Sequence, residues 1–82
     1  MSESITDRVK QVVAETLEID AGQIGESARF VEDLGAQSIQ SIELVAAFEE
    51  EFDIEMDEDE ALMIKTVDGA VQFIAKAIET QD

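Results

Sequence analysis

The chain has 82 residues, 45% of them hydrophobic, enough for one small core and too few for two. It contains no cysteine, which excludes disulfides and thiolate-bound metal, and no histidine, which removes the commonest general base. Its 21 acidic and 5 basic residues give a formal net charge of −16, a balance that opposes nucleic acid and anionic membranes and favours proteins with a basic patch.

The opening MSESITDRV has neither a basic n-region nor an apolar run long enough to span a bilayer, so the expectation is a soluble, cytoplasmic monomer without membrane insertion. Ile5, Val9, Val12, Val13 and Leu17 recur at three- to four-residue spacing and predict a helix from about Ser4 to Leu17, with Ser4 and Asp7 as its capping signature. A connection of roughly twenty residues follows, long for a compact domain. Ile19, Ile24, Phe30, Val31 and Leu34 are spaced to pin it to the core, and Gly22, Gly25 and Gly35 ease its turns.

The next predicted helix runs from about Ser38 to Phe52. Steps of 100° gather Leu44, Val45, Phe48 and Phe52 on one face and Gln40, Glu43, Ala47 and Glu50 on the other, with Ile39 and Ala46 half exposed between them. A short helix is expected at about Asp57 to Met63, where Asp57 and Glu60 form an Asp-x-x-Glu cap. Val67, Ala70, Val71, Ile74 and Ile78 mark a final helix behind a Thr66 N-cap. No segment alternates with period two. The fold class is all-α: one domain over residues 1–82, a small bundle of three longer helices and one short helix, with a long ordered loop between the first two.

The charge is uneven, for between Phe30 and Ile64 there are twelve carboxylates and no lysine or arginine. The alternating acids from Asp53 to Asp59 invite a calcium-loop reading. That pattern fails at Glu58, where the turn-making glycine belongs, and at Ile64, where a bidentate glutamate belongs. No metal site is expected.

Ser38 stands where the glycine-containing loop becomes a helix. Nucleophilic catalysis would need an adjacent base, and the nearest lysine in sequence, Lys65, lies beyond a predicted turn. No catalytic residue is expected. Two roles remain for the hydroxyl. It can cap the first turn, or it can carry a phosphate ester installed by another enzyme, which free N–H groups and the positive helix end would favour.

The segment FVEDLGAQSIQSIELVAAFEEEFDIEM resembles the heart of an acyl carrier protein, and the likeness extends through TVDGAVQFI to cover most of residues 5–78. The family's Gly-x-Asp-Ser-Leu core, led by an acid and leucine and followed by an acidic amphipathic helix, has its equivalents in Asp33, Leu34, Gly35, Ser38, Glu43, Leu44, Val45, Phe48, Glu49, Glu50, Phe52 and Ile54. The resemblance implies a non-catalytic shuttle of the free-standing, fatty-acid type. Ser38 would carry 4′-phosphopantetheine, installed from coenzyme A by a phosphopantetheinyl transferase, with acyl groups held as thioesters on its thiol. The surface of Gln37, Ile39, Gln40, Glu43, Ala46 and Glu50 would meet basic patches on acyl-loading, elongation and acyl-transfer enzymes.

Three residues beside Ser38 depart from the pattern: Gln37 for aspartate, Ile39 for leucine and Gln40 for a common acid. Ala46 also replaces a larger apolar residue. These changes point to a specialised carrier, with lipid, polyketide or aminoacyl cargo, that general transferases modify less readily. The rival is an unmodified acidic interaction subunit of the same fold, with Ser38 as a cap alone.

Overall fold

The computed structural model describes residues 4–80, the side chain of Glu58 apart. Four α-helices follow one another: α1 Ile5–Leu17, α2 Ser38–Phe52, α3 Glu58–Met63 and α4 Val67–Thr80, with a 3₁₀ turn, Ala21–Gln23, after α1. The predicted helices are all present, close to their expected limits, because their end signals are local. Ser4 Oγ accepts the Asp7 N–H at 3.1 Å, and Thr66 Oγ1 accepts the Gly69 N–H at 3.0 Å. Asp57 stands before α3, its carbonyl accepting the Ala61 N–H at 2.8 Å.

α1 lies at the centre and packs against both α2 and α4. It contributes Val9, Val12, Val13 and Leu17 to a core completed by Leu44, Phe48 and Phe52 of α2 and Val67, Ala70 and Ile74 of α4. Among the described residues no polar or charged residue is buried.

One arginine ties α1 to the end of α2. Arg8 donates to the Glu51 carboxylate at 3.1 and 3.2 Å and to the Glu51 carbonyl at 2.9 Å, while its guanidinium sits 4.4 Å from the Phe52 ring centre. The helix end thereby gains a donor for one of its unpaired carbonyls and a cation at its negative pole.

The long connection is ordered by backbone bonds to the start of α4. Phe30 N–H donates to the Lys65 carbonyl at 3.0 Å, Val67 N–H to Ala28 at 3.0 Å and Asp68 N–H to Glu26 at 2.8 Å, with Arg29 and Thr66 forming an isolated antiparallel bridge. Ile24 and Phe30 are buried as expected, and Ile19 and Leu34 pack against the core. Val31 does not. It is 57% exposed, because the turn bonds of Asp33 and Leu34 to the Arg29 carbonyl swing it outward. Ala36, unremarked in the sequence, is buried in its place.

α2 also departs from its expected facing. Ala47 is half-buried against the core and Gln40 is half-buried, whereas Ile39 and Ala46 are exposed, Ile39 by 65%. Arg8 of α1 reaches Glu51 on the side of α2 where Ala47 packs against the core, so the contacted arc is wider than the leucine–phenylalanine stripe alone. The outward face is Ile39, Ile42, Glu43, Ala46 and Glu50.

Candidate functional site

Backbone conformation sets the approach to Ser38. Gly35 has φ +72°, where an L side chain would be strained, and the chain there reverses into α2. Ala36 N–H donates to the Phe30 carbonyl at 2.8 Å while its methyl enters the core. Gln37 is extended, φ −87° and ψ 166°, and is the N-cap of α2. Its N–H donates to Gln40 Oε1 at 2.8 Å. Its carbonyl accepts the Ser41 N–H at 3.0 Å and the Ser41 hydroxyl at 3.4 Å.

Ser38 is therefore the first helical residue and not the cap. It is exposed, and among the described residues nothing hydrogen-bonds its hydroxyl. The capping reading of this serine gives way, because Gln37 occupies the N-cap position and Ser38 is already helical. Around Ser38, the first N–H groups of α2 have no intrahelical acceptor, and no acidic residue occupies the first turn. The positive helix end is left for an incoming anion.

One helical turn from Ser38, Ser41 lines a cavity of about 330 Å³. Phe30 and Val31 of the loop, Leu44, Val45 and Phe48 of α2, and Leu62 beside Ile64 form its apolar wall. The polar side chains on the wall are Glu32, Ser41 and Lys65, and the first and last are exposed. Lys65 shares this cavity with Ser41, and Ser38 is not on its wall.

Behind the site, Arg29 organises the acidic turn. Asp33 Oδ2 accepts the Arg29 backbone N–H at 2.8 Å and Nε at 3.1 Å, and Oδ1 accepts a terminal N–H at 3.3 Å. These side-chain and backbone hydrogen bonds from Arg29 hold the Asp33 carboxyl below its usual range. Glu32 adds a longer ion pair at 3.5 Å. The acidic run after α2 also has a structural explanation. Asp53 ends the helix in the left-handed region, φ 54°, Ile54 is buried, and Glu49 Oε2 accepts the Met56 N–H at 2.9 Å.

Of the sequence-predicted residues, Ser38, Ile39, Glu43, Ala46 and Glu50 share the exposed start and flank of α2 with Gln37. Gln40 is drawn inward to the cap. Ser41, Arg8 and Arg29 went unassigned in the sequence. The Gln37-x-x-Gln40 spacing was the available signal for the cap, since glutamine at the fourth position completes a capping box. The two arginine contacts join distant segments and leave no local pattern.

An exposed hydroxyl at a helix start, unbonded among the described residues and one turn from an apolar cavity, is a point at which a group can be attached covalently. A family model described as a phosphopantetheine attachment site matches residues 7–74. The chain belongs to this family, whose members bear a covalent 4′-phosphopantetheine. It is 51% identical over 73 residues to an acyl carrier protein of Sinorhizobium fredii, covering 89% of this chain and 94% of that one. An acyl carrier protein of Rhizobium meliloti matches with the same identity and coverage. The role is that of an acyl carrier. Among the described residues no helix is long and apolar enough to cross a membrane.

Proposed function

We propose that Ser38 is the attachment point, and that the protein carries acyl intermediates of fatty acid or related lipid synthesis between cytoplasmic enzymes. The observation that carries this reading is the free Ser38 hydroxyl, lying inside the matched segment at the unneutralised start of α2. The residues suit the group: its phosphodiester would lie beside unpaired N–H groups, and an apolar chain has the neighbouring cavity for shelter. When attached, 4′-phosphopantetheine supplies a flexible arm whose thiol holds acyl groups as thioesters. The chain's own residues present the hydroxyl, orient it and offer the apolar wall. The base that activates Ser38 would come from the phosphopantetheinyl transferase, since among the described residues no side chain of the protein engages this hydroxyl.

The outward face of Ile39, Ile42, Glu43, Ala46 and Glu50 is the proposed docking surface for enzymes with basic patches. Each exposed ion pair there is worth only about 0.2–1 kcal/mol, which suits contacts that form and release repeatedly. Gln37 removes a charge beside Ser38 and marks a specialised carrier.

The test is intact mass after incubation with coenzyme A, Mg²⁺ and a broad-specificity transferase. The wild type is expected to gain the arm and Ser38→Ala to gain nothing, with Gln37→Asp modified faster than the wild type. A wild type that no transferase modifies, or an equal gain in Ser38→Ala, would overturn the assignment. An unchanged rate in Gln37→Asp would remove the support for specialisation.

A further inference from the structure

We infer that Gln40 is a positioning residue for Ser38 and not a docking contact, an inference that rests on Ser38 being the attachment point. Three residues lead into the serine, and the N–H of each is bonded. Gly35 donates to the Val31 carbonyl at 3.1 Å and Ala36 to the Phe30 carbonyl at 2.8 Å, so both are held by backbone. Gln37 alone is held by a side chain, Gln40 Oε1 at 2.8 Å. This bond fixes the last link before the modified residue. Without it the Gln37 N–H faces water, and the turn that aims Ser38 loses one of its restraints.

The burial of Gln40 agrees. It is half-buried, whereas Ile39, Ile42, Glu43, Ala46 and Glu50 face outward. The amide also solves an electrostatic conflict. A glutamate at this position would offer the same acceptor, as in the usual capping box, but would place a negative charge beside the phosphodiester. Glutamine keeps the restraint and leaves the positive helix end free.

The experiment uses the full chain, unmodified, as wild type, Gln40→Ala and Gln40→Glu. Amide hydrogen exchange at Gln37 is read by NMR, and steady-state modification is read with two unrelated transferases. Gln40→Ala should accelerate Gln37 exchange about fivefold, the effect of losing one hydrogen bond. With both transferases it should lower kcat severalfold with little change in KM. Gln40→Glu should restore Gln37 protection and raise kcat above that of Gln40→Ala, short of the wild type because of its charge. Unchanged exchange in Gln40→Ala, a rise in KM with kcat intact, or a failure of glutamate to restore protection would each overturn the inference. If the wild type gains no mass, the Ser38 assignment fails first, and the exchange data then describe only a helix cap.

Discussion

Ser38 and Ser41 stand one helical turn apart and differ in engagement. The Ser41 hydroxyl is half-buried and bonded to the Gln37 carbonyl, and the Ser38 hydroxyl is exposed and unbonded. A modifying enzyme therefore meets one accessible nucleophile on this turn. Asp33, a few residues upstream, gives a prediction in pH. Its folded pKa is depressed by Arg29, so its stabilising contribution is fully present above the unfolded pKa and is lost as pH falls through the folded one. Denaturant melts of the wild type and Asp33→Asn should differ at neutral pH and converge on acidification below the ordinary carboxylate range. A gap that widens on acidification would contradict the assigned ion pair. Ser38 as the candidate residue was readable from its sequence block. Its freedom was not, since a shift of the helix start by one residue decides whether the serine is the cap or the first helical residue.

Among the helices, α3 is the least anchored. It has six residues, well below the length at which a helix sustains itself in water, and none of its described side chains is buried. It is held by the Ala61–Asp57 and Ile64–Ala61 backbone bonds and by packing of its Leu62 end over the cavity. Its amides should exchange roughly 100-fold faster than those of Val12 and Val13 in α1, as expected for local opening. Equal protection across both helices, measured by native-state exchange, would refute this. Helix limits were readable because Ser4 and Thr66 carry their cap chemistry within three residues. The 3₁₀ turn and the Arg29–Thr66 bridge were not, because they depend on pairing between segments far apart in sequence. The same reason explains the misplaced faces of Ala47 and Val31: periodicity locates a stripe, and neighbouring elements decide how wide the covered arc becomes.

Over the molecule as a whole, acids and cations are segregated. Lysine and arginine are absent between Phe30 and Ile64, a stretch that holds the whole of α2 and α3. Arg8 and Arg29 are already engaged by carboxylates. The outward face of α2, the proposed docking surface, thus carries only carboxylates as charged groups, Glu43 and Glu50, which suits long-range attraction to basic partners at low salt. Composition disclosed this imbalance and the sequence placed Ile39 on this surface, but only the structure disclosed that Ile42 joins it, 70% exposed.

The apolar wall of the cavity has a consequence for cargo at different stages of reduction. An oxygen carried into the cavity past the exposed Glu32 and Lys65 meets Ser41, whose hydroxyl already donates to Gln37, and then hydrocarbon, so a carbonyl or hydroxyl seated beyond those two charges forgoes its water at a cost of about 1–3 kcal/mol. Saturated chains should settle inside, and their 3-oxo counterparts should linger outside. Thioester cleavage by hydroxylamine should accordingly be roughly tenfold faster for the 3-oxo chain than for the saturated chain of equal length, after correction with free thioesters. Equal rates would mean that the pocket is blind to oxidation state.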